Sequence, residues 1–481
     1  MGFLRSGERW WMGLGAAAAT ALLMWLGTGL NPWWPLVWVG PVPVLWFALR
    51  ARWGEAGAAA AVAWFAGEMN LFGYLRLMQT PARVWVLIFG VGAVVFALAV
   101  LLFRALARRG AWWSAVLAFP AAWVSWEYVV SRTSPHGTAM NLAYTQLRFV
   151  PVLQVASVTG LWGLSYVLLL FAATMAVGLH LWAREPRRAM AVAGMGLAVT
   201  AVVLVGGVVR MERPSEDLVR VGLVVTDQRP SGVTSEAEAR QKGLEAYAAQ
   251  VRELAGRGAK VIVLSEGVWA ITPATEAQVD GTFQPIASAS GVTVVVGVIR
   301  VEGGRIYDEA RVYAPDEMVR SYDKEHLLPP FESMMTPGKS LLTWQTATGM
   351  RGVAICKDMD FTGLARRYGE AGAGLMLVPG GDFKVDGFWH GHMAVMRAVE
   401  DGFSLVRSAS RGFLTVTDDR GRVLGEMPSN AAPFATLAVE VPARHDATIY
   451  ERFGNWFAWV ALALLGCTLV EAVVMRGRND G

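Results

Sequence analysis

Charged side chains are scarce in this 481-residue chain, at 17% of residues, against about 25% in an average soluble domain. That excludes a disordered, charge-rich tail protein and argues against a purely soluble globular one. Cysteine is nearly absent, with only Cys356 and Cys467. Cys467 lies in an apolar run and Cys356 in a polar region, so the two are not expected to pair, and no disulfide framework is available. Cys356 is therefore either a buried thiol or a reactive one. A net charge of +4 is too small to imply a nucleic-acid partner. The sequence shows no P-loop, dinucleotide fingerprint or metal-ligand cluster, so neither cofactor nor metal is expected.

What is abundant is apolar. Hydrophobic residues make up 54% of the chain, which holds 21 Trp, 20 Phe and 52 Gly. Aromatics at interfaces and glycine within spans are marks of bilayer-embedded proteins. Residues 10–210 are almost all apolar, 211–450 are mixed and hold most of the acids, and 455–475 are apolar again. Spans need roughly 20 apolar residues each, which predicts them near 10–29, 33–49, 56–78, 84–103, 112–130, 160–182, 189–209 and 455–475. The first run is longer than a signal peptide's apolar segment, and further spans follow it, so it reads as an anchor. Residues 1–210 then form a membrane domain of about seven helices, 211–450 a second domain, and 451–481 a last span with a tail.

Arginine sets the expected orientation. Arg5, Arg9, Arg50, Arg52, Arg104, Arg108, Arg109, Arg184, Arg187, Arg188, Arg476 and Arg478 all fall on one face, against Arg83, Arg132 and Arg148 on the other. The positive-inside rule makes the first face cytoplasmic. Both termini are then inside and 211–450 outside, on the periplasmic or outer face of a bacterial inner membrane. Glu68, Asn70, Arg76 and Glu127 are polar positions in or near spans, where charges are costly and face a partner or a cavity.

Strand-like and helix-like runs alternate from residue 219 onward. Strands are predicted at 219–226, 260–266, 292–300, 305–314, 351–356, 375–379, 403–408, 413–418 and 436–441. Helices are predicted at 236–255, capped by Thr234 or Ser235, at 361–371 and at 388–401. This is the pattern of a layered α/β domain.

Three reactive residue types sit where strands end or in the loops between them: Glu266, Lys324 and Cys356. A nearby base or positive charge makes a thiol nucleophilic. A carboxylate whose pKa is raised by desolvation can be that base. A fixed ammonium can stabilise the oxyanion formed when a carbonyl is attacked. Together they supply the parts for acyl transfer, although each alone is more often a core thiol or a solvated charge.

In this order and context the three residues resemble the Glu-Lys-Cys triad of the nitrilase superfamily. Lys324-x-His326-Leu327-x-Pro329, with Glu332 eight residues after the lysine, looks like that family's lysine motif. The stretch 390–412 looks like its later helix and strand. The resemblance implies an α-β-β-α sandwich, with Glu332 assisting the triad. Seven spans, such a domain and an eighth span further resemble the apolipoprotein N-acyltransferase family. The Pro/Trp-rich stretch 30–38, Trp126-Glu127, the stretch 144–160 and the stretch 450–456 carry that likeness.

The resemblance implies transfer of an acyl chain from a membrane phospholipid, through a Cys356 thioester, to the amino group of an N-terminal diacylglyceryl-cysteine on a lipoprotein. Glu266 would be the base, and Lys324 with the backbone N–H after Cys356 would hold the oxyanion. The alternatives are a membrane-tethered amidase, an acyltransferase with a different amine acceptor, or a non-catalytic relative. The chain departs from the family's pattern near the site. Leu264-Ser265-Glu266 stands for Trp-Pro-Glu, Cys356-Lys357-Asp358 for Cys-Tyr-Glu, and Gly380-Gly381-Asp382-Phe383 for a loop beginning Asn-Asp. Lys357 and Asp358 are expected at the mouth of the site. There Lys357 would favour the thiolate and meet a phosphate head group, or else pair locally with Asp358 or Asp360.

Overall fold

The computed structural model describes residues 6–213, 217–228 and 235–480. Arg5 and Thr234, an orientation marker and a candidate cap, lie outside these, and only the backbone of Arg478 is described. The chain forms two compact units. One comprises residues up to Ser134, Thr138–Met211 and Phe453 onward; the other comprises Pro135–Gly137 and Glu212–Arg452.

The first unit is helical. Among the described residues, five segments are long and apolar enough to cross a membrane: Arg9–Gly27, Ala82–Ala107, Leu161–Leu181, Pro186–Met211 and Trp456–Gly477. Two of the other three expected spans are divided into shorter helices. The run 33–49 is two short helices, Pro35–Val39 and Val42–Ala48, separated at Gly40 and Pro41. The run 56–78 divides into Trp53–Glu68 and Phe72–Leu77 around a 3₁₀ turn at Met69–Leu71. Within that turn the Asn70 amide donates to Trp25 O at 2.8 Å and to Thr28 Oγ1 at 3.0 Å, which ties the interruption to the end of the first helix. The Trp112–Thr133 helix is long enough, but Pro120, Glu127 and Arg132 dilute its apolar character. Glu127 has a structural part in it. Its Oε1 accepts the Leu142 N–H at 2.7 Å and the Trp123 indole N–H at 3.1 Å, anchoring the 3₁₀ turn Leu142–Gln146.

The second unit holds two sheets. In the first, β1 (Leu218–Val225), β2 (Val261–Leu264) and β4 (Thr293–Glu302) are parallel neighbours. β13 (Ala435–Pro442) flanks β1, while β5 (Arg305–Tyr313) and β6 (Arg320–Asp323) follow β4, and β3 (Trp269–Ile271) pairs with β4. The second sheet runs β12 (Val423–Pro428), β11 (Phe413–Thr417), β10 (Ser404–Ser410), β9 (Ala373–Gly381), β8 (Gly349–Val353) and β7 (Leu342–Thr346). Here β8, β9 and β10 are parallel.

The sheets pack face to face through side chains such as Val221, Leu223 and Val263 from one and Leu375, Leu377 and Val406 from the other. Their parallel strands carry near-continuous apolar runs because both faces are covered. The helices Glu236–Gly256 and Glu276–Ser290 cover the outer face of the first sheet. Thr362–Glu370 and Gly387–Asp401 cover that of the second. The result is an α-β-β-α sandwich. Ser235 caps its first helix, its Oγ accepting the Glu238 N–H at 3.2 Å.

One glycine shows how tightly the strand ends meet. A Cβ on Gly297 of β4 would lie 2.5 Å from Ser265 O and 2.6 Å from Glu266 Cα. Gly297→Ala is therefore expected to displace the Glu266 backbone and to lower stability by about 1–3 kcal/mol, the usual cost of overpacking. Denaturant unfolding of the purified full chain measures this. An unchanged midpoint would show that the contact relaxes freely.

Candidate active site

β5 and β6 bring one ammonium into the midst of three carboxylates. The Lys324 backbone N–H donates to Asp308 O at 2.8 Å, just beyond the last residue of β6. Its side chain is 1% exposed. Nζ lies 2.6 Å from Glu266 Oε1, 2.7 Å from Glu332 Oε1 and 3.1 Å from Asp308 Oδ2. Glu332 also accepts the Leu328 N–H through Oε2 at 2.7 Å, which fixes the loop that delivers it. The Gly338 N–H holds Lys324 O at 2.8 Å, and a Cβ on Gly338 would sit 1.9 Å from Asp323 O, so only glycine fits there.

Burial and mutual repulsion divide the protons among these groups. Burial and then the neighbouring Glu266 push the Asp308 carboxyl well above the usual carboxylate range. Burial also raises Glu332, with Lys324 opposing it. For Glu266 burial is the largest influence and acts upward, but the Lys324 ammonium and hydrogen bonds with Asp308, Lys324 and Cys356 together hold this carboxyl below its ordinary value. Glu266 is thus an ionised, paired carboxylate, where desolvation alone predicts a raised one. Burial disfavours the charge on Lys324, yet Glu266 and Asp308 hold its pKa well above normal.

Cys356 follows β8 and opens a 3₁₀ turn, Cys356–Asp360. Its backbone is left-handed, at φ +45°, and its side chain is buried. Sγ donates to Gly381 O at 3.3 Å. One residue earlier, Gly380 O accepts the Glu266 N–H at 3.2 Å. The end of β9 therefore holds both Glu266 and Cys356. Burial and Glu266 push the Cys356 thiol well above its ordinary value, while Lys324 and Arg407 act the other way. The resting group is a thiol, next to a carboxylate able to take its proton.

Lys357 and Asp358 are not at a mouth: both are buried. Asp358 accepts from Tyr322 OH at 2.7 Å, Ile355 N–H at 3.0 Å and His326 N–H at 2.8 Å, tying β6, the lysine loop and the Cys356 turn together. Lys357 Nζ lies 3.3 Å from Asp360 Oδ2 and 3.2 Å from His136 Nδ1. That turns it inward, onto the local pair with Asp360. Sequence reasoning singled out neither Asp308 nor His390. Asp308 sits inside a strand among Arg305, Glu309 and Arg311, a pattern that reads as a solvated edge.

Two clusters among the described residues offer three ligand atoms each within 4.8 Å of one another: Glu266, Asp308 and Glu332, and Cys356, Asp382 and His390. Cations of the protein already hold both. Lys324 sits among the first three, and Arg407 grips Asp382 through both oxygens at 2.6 and 3.0 Å.

Residues 20–174 match the apolipoprotein N-acyltransferase N-terminal domain, and residues 220–445 match the carbon-nitrogen hydrolases. A protein of Geobacter metallireducens named apolipoprotein N-acyltransferase is 24% identical to this chain, covering 92% of each. Another of that name, from Vibrio parahaemolyticus, is 25% identical over 88% of each. Among solved structures, a variant of a Nesterenkonia amidase from the nitrilase superfamily is similar at 22% identity and a TM-score of 0.39, covering 48% of this chain and 92% of its own.

Asp358→Asn keeps the side chain's size but leaves one acceptor oxygen for three donors. Stability should fall by about 1–3 kcal/mol, the cost of a stranded buried donor, as read from denaturant unfolding. A variant as stable as the parent would contradict the clamp described for Asp358.

Proposed function

We propose that this chain, which is similar to the apolipoprotein N-acyltransferases over most of its length, moves an acyl chain from a membrane phospholipid to a lipoprotein through a thioester on Cys356. One observation carries the reading: the Lys324 ammonium sits 2.6 Å from Glu266, and the end of β9 holds both Glu266 and Cys356.

Glu266 takes the Cys356 proton as Sγ attacks the ester carbonyl of the phospholipid. Lys324 and the backbone N–H after Cys356 meet the oxyanion. The C–O bond then breaks, Glu266 returns its proton to the departing alkoxide, and a lysophospholipid leaves. The free α-amino group of a diacylglyceryl-cysteine attacks the thioester next. Glu266 takes the amine's proton, the C–S bond breaks, and the proton returns to Sγ. Each half-reaction ends with an ionised Glu266, the form that Lys324 favours. Glu332 and Asp308 hold Lys324 as an ammonium throughout. Lys357 and Asp358 support the turn that carries Cys356.

A bilayer location suits two substrates that both carry lipid chains. The arginine-rich loops support a catalytic domain on the periplasmic or outer face of the bacterial inner membrane.

The experiment is to express the chain in a bacterium depleted of its own acyltransferase and to read lipoprotein N-termini by mass spectrometry. The proposal predicts N-acylated cysteines with the parent and none with Cys356→Ala. Glu266→Gln should slow transfer by about 10²–10⁴ and Lys324→Met by about 10²–10³. Lipoproteins that keep a free amino group in cells making the parent protein would sink the acceptor assignment and favour the amidase reading.

A further inference from the structure

We infer that His390 is a positioning residue for Cys356: it fastens the turn that bears the thiol to the strand end that orients it. The inference rests on Cys356 being the nucleophile.

His390 lies in the first turns of the Gly387–Asp401 helix. Its Nδ1 faces Asp382 Oδ1 at 2.9 Å and its Nε2 faces Asp360 Oδ1 at 3.2 Å. Asp360 ends the 3₁₀ turn that Cys356 begins. Asp382 directly follows Gly381, whose carbonyl accepts the thiol. One ring therefore joins the two segments between which Sγ is held. Sγ, an Asp382 oxygen and a His390 nitrogen lie within 4.8 Å of one another.

With a carboxylate facing each nitrogen, one hydrogen-bonded to Nδ1 and one within ion-pair distance of Nε2, the arrangement suits an imidazolium, which carries an N–H at both positions. Burial opposes that charge, but Asp360 and Asp382 raise the His390 pKa to about 10. The far ends are held as well. Asp382 is gripped by Arg407 of β10, and Asp360 is paired with Lys357. Lys357, Asp360, His390, Asp382 and Arg407 thus alternate in sign beneath the nucleophile. On the same helix, His392 faces Glu426 of β12 at 3.5 Å.

The staple has a job to do because Cys356 is strained. A non-glycine residue in the left-handed region costs on the order of 1–3 kcal/mol and persists only where its surroundings hold it. Without the imidazolium, two carboxylates would face each other close to Sγ. They would push the turn away from β9 and disfavour the thiolate.

The test is alkylation of Cys356 by iodoacetamide in the detergent-purified full chain, in a Cys467→Ala background, mapped by mass spectrometry between pH 6 and 10. His390→Gln and His390→Asn should each slow alkylation at neutral pH by about tenfold or more and move the profile to higher pH, since a thiol away from cations ionises later. A merely structural histidine would do the reverse: loosening the turn would expose the buried thiol and speed alkylation. Faster or unchanged alkylation in both variants overturns the inference. If neither variant folds, Lys357→Met removes the cation at the far end of the same chain, leaves Asp360 less firmly held and should still slow the reaction, and an unchanged rate there overturns the inference equally. Acyl transfer that survives Cys356→Ala would instead sink the nucleophile reading, whatever the alkylation rates show.

Discussion

A single ammonium enclosed by three carboxylates organises the catalytic domain. Lys324 reaches Glu266, Glu332 and Asp308 within 3.1 Å from a position almost closed to solvent. Breaking a buried ion pair by removing one partner costs about 3–5 kcal/mol, so these side chains constrain one another. Each comes from a different part of the chain: the end of β2, the middle of β5, the segment after β6 and the loop after it. Folding must bring all four together before any of them is comfortable. The arrangement also stores the chemistry. Holding Glu266 ionised against burial keeps a proton acceptor beside a thiol whose own pKa is too high to ionise unaided.

The same economy of charge extends behind Cys356. The left-handed Cys356 is held at the close of β8 by hydrogen bonds and ion pairs on both sides. Asp358 ties the turn to β6 and the lysine loop. Asp360, His390 and Asp382 tie it to β9 and β10. The residues following the thiol thus face inward as support.

Much of the fold was legible in the chain. Strand-length apolar runs alternating with amphipathic stretches announced the layered α/β domain, because parallel strands covered on both faces read as continuous hydrophobic segments. The helix Glu276–Ser290 escaped notice because Gly281 and Pro285 interrupt its pattern. The strands β7 and β12 escaped because they lie at sheet edges, the first half-buried and the second largely exposed, so neither carries a continuous apolar run. In the helical unit, apolarity marked where the chain is buried or lipid-facing. It could not show that two of the runs would be divided, at Gly40-Pro41 and at Met69–Leu71. At the site, residue type and strand-end position singled out Glu266, Lys324 and Cys356. The direction in which Lys357 points depends on the rotation of one 3₁₀ turn, and Asp308 and His390 join the site only through sheet pairing and helix packing. None of that leaves a local mark in the sequence.

Everything proposed for the reaction depends on a covalent acyl group residing on Cys356. The most direct measurement is the intact mass of the detergent-purified full chain after incubation with phosphatidylethanolamine vesicles, without and then with a diacylglyceryl-cysteine peptide. The account predicts a mass increase of one acyl chain mapped to Cys356, absent from Cys356→Ala and discharged when the peptide is added, with the peptide gaining the same chain. A peptide acylated just as fast by Cys356→Ala, or an adduct on another residue, would contradict it.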